Sequence, residues 1–196
     1  MEDPLQDPSL KPGEKLIYSK EINFKFHNKA ENEIQLRPTI IKIFTFRDDD
    51  DRLETIRFEI SQQANIFFLY SVEYDEDSFE TLKNKESLKI SFEDFPTIMI
   101  EILNKAALEK DEYNVEFEIP TNDLLQLNIV MPLKFKDVPI FSLDFQEEDD
   151  ALIEKQVQYR YNVVQYELRK TRIEITNFID TLGLSKPSGK GKGLRK

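Results

Sequence analysis

The chain has no cysteine and no tryptophan, and His27 is its one histidine. Without cysteine there is no disulfide scaffold, no thiolate zinc or iron–sulfur site and no thiol nucleophile. A catalytic triad or a histidine metal centre would have to rest on His27 alone, and a strand-end surface histidine is the more economical reading. Glycine is nearly as scarce. Five occur, at positions 13, 183, 189, 191 and 193, so the long stretch between Gly13 and Gly183 has none. Loops that cradle phosphate need glycine so that backbone can approach the ligand, which excludes a P-loop and a dinucleotide fingerprint. No apolar run reaches the length of a membrane span, and the acidic, proline-containing start has no signal-peptide pattern. No membrane, small-molecule substrate or cofactor is therefore expected.

What the 196 residues do contain is acid and phenylalanine. The net charge is -11, and hydrophobic residues make up 39% with 15 Phe. That is enough apolar material for a core. The charge is segregated. Residues 186–196 carry five positive charges and no acid, leaving the remainder at -16. Such a tail either is a disordered solubilising end or binds an acidic surface such as nucleic acid or a microtubule.

Period-two alternation dominates from Leu16. Leu16, Tyr18, Ile22, Phe24 and Phe26 share a face of a first strand. Further strands are read at about 36–46, around Ile56–Ile60 and over Phe68–Tyr74. A short helix from Asp75 to Lys83, a short strand at Leu88, Ile90 and Phe92, and a helix over about 95–108 follow. Asp94 is a natural N-cap for the second helix, with Pro96 just inside it. Alternation resumes at Tyr113–Ile119, Leu125–Met131 and Phe141–Phe145, with a turn at Pro120–Asp123. The pattern predicts a mainly β protein. Its head is an antiparallel β-sandwich or barrel of about eight strands with a helix–strand–helix insertion, followed by one long C-terminal helix. The expected divisions are a flexible lead-in at 1–14, the head at 15–146, the helix at 147–182 and a basic tail at 183–196.

The C-terminal segment carries a heptad frame. Val157, Val164, Thr171 and Phe178 fall at d, and Tyr161, Leu168, Ile175 and Leu182 at a. Glu167 at g and Arg172 at the next e suit a parallel pair. Packing of this helix back on the sheet fits the pattern equally well. Gly183 is placed to stop it. The acidic runs Asp48–Asp51 and Glu147–Asp150 lack calcium-loop spacing and read as a solvated turn and a helix start. Of Glu73, Asp75, Glu76 and Asp77, most lie in or near the first turn of the expected helix, where acids are favoured, which outweighs an acid–base pair. Phe135 is the unusual residue. It lies between strands in a charged stretch, where it either folds back on its own core or serves as a knob for a partner. The pattern by itself favours folding back.

Two stretches carry a family resemblance: NIFFLYSVEYDEDSFETLKNKESLKISFEDFP at 65–96 and LNIVMPLKFKDVPIFSLDF at 127–145. Phe67–Tyr70, Phe79–Lys83, Phe92–Pro96 and Leu127–Val130, the last followed by Phe135-Lys136, resemble the N-terminal head of the spindle assembly abnormal protein 6 family. The resemblance spans about 15–182. The missing long rod is similar to the short, six-like branch of that family. Ile90-Ser91-Phe92 and Met131–Lys134 depart from the usual family residues.

The resemblance implies a non-enzymatic, self-associating structural protein of the centriole, basal body, flagellar base or apical complex. It puts Phe135 at the family's knob position, with Leu133, Lys134 and Lys136 around it, and so reverses the reading from pattern. It implies helix pairing through Val157, Tyr161, Val164, Leu168, Ile175, Phe178 and Leu182. The implied partners are further copies of the chain and other centriolar or basal-body proteins, with microtubules a candidate for the tail. A DNA end-joining scaffold of the ligase-partner type shares the head-plus-helix plan and is the alternative.

Overall fold

Seven strands close into a barrel in a computed structural model that describes residues 5–28, 33–108, 112–119 and 124–182. In chain order they are β1 (Lys15–Asn28), β2 (Glu33–Arg47), β3 (Leu53–Ser61), β4 (Leu69–Asp75), β5 (Asn114–Ile119), β6 (Leu124–Leu133) and β7 (Lys136–Glu147). Helices α1 (Glu76–Glu86) and α2 (Phe95–Ala107) lie between β4 and β5, and α3 (Asp150–Thr181) follows β7. The strands neighbour one another in the order β1-β2-β3-β4-β7-β6-β5, and β5 closes on β1. Every pairing is antiparallel except β1 with β5, which is parallel. Asp7–Val157 form one compact unit, and the chain from Gln158 belongs to a second.

The mainly β head with a helical insertion and a long C-terminal helix agrees with the alternation pattern, with four differences. Residues 88–91 are irregular and 92–94 form a turn, so the expected short strand is absent and the insertion is helix–loop–helix. Three apolar residues at alternate positions do not make a strand without a partner to pair with. Phe92 is buried as a core plug instead. Leu16 is exposed because a bulge between Leu16 and Tyr18 shifts the phase of β1. Asp94 makes no side-chain cap; its carboxylate accepts from Ser91 Oγ at 2.6 Å. Finally, Asp7–Glu14 are not a free lead-in: Ser9 is buried against the barrel. Pro120–Asp123, Gly183 and the basic tail fall outside the described residues.

Two seams of the barrel are short. Among the described residues β4 meets β7 over two residue pairs, Tyr70↔Glu147 and Ser71↔Gln146, and β1 meets β5 over four. Both pairings sit at the end where β7 finishes, so the barrel splays at the end where β7 begins. The helical insertion plugs that opening. Asp75 caps α1 through a reciprocal capping box with Ser78. Phe79 then packs on Phe92 at 5.3 Å and on Phe95 at 4.9 Å between ring centroids. Phe95 reaches Phe58 at 5.7 Å and Phe141 at 6.2 Å, which ties the plug to both halves of the sheet. A second aromatic group forms around Phe117, stacked on Phe26 at 4.8 Å and edge-on to Phe24 at 5.2 Å.

Phe95 is fully buried and touches four aromatic rings. Phe95→Ala removes the centre of the plug, and the expected loss is about 3–5 kcal/mol of unfolding free energy. Urea denaturation of the purified variant measures it.

Candidate functional site: the β6–β7 hairpin tip and the α3 seam

β6 and β7 pair along ten positions, from Leu124↔Gln146 to Leu133↔Lys136, with one irregularity between Ile129 and Val130. Alternation puts Leu125, Leu127, Ile129, Phe141, Leu143 and Phe145 inside, all buried. The pairing continues to Leu133↔Lys136, so Lys134 and Phe135 alone form the turn. A two-residue loop is too short to fold a side chain back under its own strands. Phe135 is accordingly 89% exposed, the most exposed large apolar side chain among the described residues. Leu133 beside it is 51% exposed. The Lys134 ammonium lies 5.4 Å from the Phe135 ring centroid. The tip is an apolar knob flanked by the cations Lys134 and Lys136. Leu133, Lys134, Phe135 and Lys136, read from the sequence as one group, do come together here.

A cleft of about 250 Å³ opens where β1 and β5 part, bounded by the end of α2. Its apolar lining is Ile22, Phe24, Leu36, Ala106, Tyr113 and Val115, with Leu36 65% exposed at its mouth. Its lining also includes Asn23, Lys25, Asn114 and Glu116, and by volume alone the cleft has room for a phenyl ring. The sequence held no signal for the cleft. It exists because β1 is much longer than its pairing with β5, and chain length on one strand does not reveal where a neighbour ends.

On α3, Tyr161, Val164, Leu168, Ile175 and Phe178 are all exposed, as is Leu182 just past its end, several by more than half. Val157 differs. It is half-buried, and it lies next to Gln156 and near Ile153, which pack on the head. The helix therefore spends its first two turns on the barrel and presents an apolar stripe beyond them.

The chemical candidates have structural roles. His27 Nε2 sits 2.7 Å from Glu116 Oε2 at the end of β1. Asp48 closes the β2–β3 turn by accepting from the N–H groups of Asp50 and Arg52, both at 2.9 Å. These bonds, the Arg52 charge and the Arg52 side-chain contact outweigh the small cost of burial and hold its carboxyl below the ordinary range. Glu73 pairs with Lys11, and Asp75 is the α1 cap. Among the described residues no three His, Asp or Glu side chains are placed to hold a metal ion. No helix there is long and apolar enough to cross a membrane.

The model of the family described as the centriolar protein SAS N-terminal domain matches residues 16–145. The chain belongs to that family. The spindle assembly abnormal protein 6 homolog of Danio rerio is 26% identical, over 66% of this chain and 26% of that protein. The Gallus gallus homolog is 23% identical, over 71% and 23%. The chain thus spans about a quarter of these relatives' length. Among solved structures, an N-terminal fragment of Leishmania SAS-6 containing part of its coiled coil has a TM-score of 0.70 at 19% identity, covering 86% of this chain and 98% of that one. An N-terminal Drosophila melanogaster Sas-6 fragment, dimerised via its coiled coil, has a TM-score of 0.69 at 16% identity, covering 89% and 86%. At these identities the likeness establishes the fold.

Because Phe135 touches so little of its own chain, Phe135→Ala is expected to leave unfolding free energy within about 0.5 kcal/mol of the parent. Denaturation at high dilution checks this. A loss of several kcal/mol would mean the ring is packed in its own core.

Proposed function

We propose that this protein is a non-enzymatic, self-associating structural component of the centriole or basal body, in a cartwheel-type assembly. It joins copies of itself through the β6–β7 tip and through the α3 stripe. The observation that carries the reading is Phe135, 89% exposed on a loop of two residues, in a chain of the SAS N-terminal domain family. Phe135 and the adjoining Leu133 leave an apolar tip exposed at the end of a hairpin, and an aromatic side chain of this kind is a typical interface anchor. The head at 15–146 supplies one contact and the helix at 147–182 the other. The family match leaves the end-joining scaffold without support. Other centriolar proteins as partners, the flagellar base or apical complex as location, and microtubules as the target of the basic tail belong to the same proposal.

The receptor for the knob is the β1–β5–α2 cleft of a second copy. Exchange of two knobs makes a two-fold contact in which each chain gives and receives. Burying a phenylalanine contributes about 1.5–3 kcal/mol, so two give about 3–6 kcal/mol. Association costs an estimated 4–15 kcal/mol in lost freedom. The knob contact is therefore weak alone and becomes effective when helix pairing holds heads at high local concentration. Two different two-fold contacts on one chain generate a ring or a filament, according to the angle between them.

Sedimentation equilibrium up to about millimolar protein tests the pair. The parent is expected to pass beyond dimer, Phe135→Glu to stop at the helix-paired dimer, and Phe135→Glu combined with Ile175→Glu to remain monomeric. The substitution removes the ring that would fill the cleft and brings a charge that must be desolvated there, which is why the effect is loss rather than weakening. Identical association by parent and Phe135→Glu would remove the tip from the assembly.

A further inference from the structure

The outward face of β2 and β3 carries a cross-strand pair of charges, Lys42 opposite Glu59, and beside it Phe44 opposite Arg57. Glu59, Arg57 and Phe44 are all buried although they point away from the barrel interior. Their cover is the segment Asp7–Glu14. Lys42 Nζ lies 2.6 Å from Asp7 Oδ2 and 3.1 Å from Glu59 Oε1. Arg57 donates to Glu14 Oε2 at 2.7 Å, to Glu14 Oε1 at 3.1 Å and to the carbonyl of Ser9 at 2.5 Å. Its guanidinium also stacks over Phe44 at 4.2 Å. Take Asp7 and Glu14 away and the buried Arg57 and half-buried Lys42 are left with Glu59 and, 3.9 Å from Arg57, the partly exposed Glu73.

The segment is shaped in advance for this place. Leu10 N–H donates to Asp7 O, and Glu14 N–H to Lys11 O, both at 3.1 Å. Asp7 Oδ1 accepts from Ser9 N–H at 3.0 Å and Glu14 Oε2 from Lys11 N–H at 2.9 Å. Pro8 and Pro12 restrict the free chain. Gly13 has φ +84°, and a Cβ there would come within 2.7 Å of the Phe46 ring, so glycine alone passes.

The same residues also hold α3. Gln156, on its second turn and buried, donates to Asp7 Oδ1 at 2.6 Å and to Ser9 Oγ at 2.5 Å. Burial pushes the Asp7 carboxyl up, but the Lys42 charge and its hydrogen bonds outweigh this and leave it below the ordinary range. Glu14 is likewise lowered, burial being outweighed by Arg57 and the Lys11 amide. Both contributions are therefore present at neutral pH and are lost as pH falls through the depressed values.

We propose that Asp7–Glu14 are a detachable clamp that fastens the first two turns of α3 to the outer face of β2 and β3, with Gln156 as the positioning residue on the helix. The clamp is held mainly by polar contacts and lies outside the barrel core. Its receptor is a cationic site, Lys42 and Arg57, that meets the two carboxylates of a turn-forming segment on an otherwise acidic protein. It stands on contacts within the unit Asp7–Val157 and does not rest on self-association.

Hydrogen exchange on the full chain, a chain lacking residues 1–14, and the variant Gln156→Ala tests it at dilution. Amides of Leu152–Val157 are expected to exchange about tenfold faster in both altered chains, with β3 unchanged. A synthetic peptide of residues 5–14 is expected to return the shortened chain to the parent rate. Gln156→Ala keeps the test valid if the shortened chain fails to fold. An unchanged rate at Leu152–Val157 in Gln156→Ala overturns the proposal. So does a loss of β3 protection as large as that in α3, or a peptide that restores nothing.

Discussion

The register of β6 against β7 governs the rest. Once Leu127 faces Leu143 and Ile129 faces Phe141 across the hairpin, every residue along both strands has its side assigned. A slip by one position would turn the six buried apolar residues of these strands to water. That cost, several times the worth of any surface contact, fixes where the hairpin must end. It ends at Leu133↔Lys136, and Phe135 is left outside with no strand to lie under. The core thus pays for the exposure of the knob.

The same economy explains the cleft. A barrel whose strands differ in length cannot close evenly, and here β1 and β7 overrun their neighbours at one end. The helical insertion fills most of the opening with Phe79, Phe92 and Phe95. It leaves a gap beside Ala106 and Tyr113 that nothing in the chain's own core occupies. The knob follows from the β6–β7 register and the cleft from the mismatch in strand length between β1 and β5. Neither requires a moving part, which suits the proposed role as a fixed piece of a larger assembly.

Much of this was legible in the residues. Alternation located all seven strands, the acids of its first turn announced α1, and heptad spacing marked the stripe on α3. Three features escaped for physical reasons. Leu88, Ile90 and Phe92 alternate because a loop crossing an open barrel end also needs apolar residues on one side. Phe135 reads as a core residue from pattern alone, because no Asn-Gly or similar signal announces a two-residue turn; the family resemblance corrected that. Asp7–Glu14 read as loose lead-in because ion pairs between distant segments, such as Glu14 with Arg57, leave no periodic trace. Charge in a sequence reports solvation by default, and only burial reveals it as structure.

The central claim is that the Phe135 ring of one copy enters the β1–β5–α2 cleft of another. Photo-crosslinking from a benzoylphenylalanine placed at position 135, followed by peptide mapping, tests it most directly. The account predicts adducts between chains, on Ile22, Ala106, Tyr113 or Val115, that disappear on dilution. Adducts confined to the same chain, or found between chains at residues far from that cleft, would contradict it.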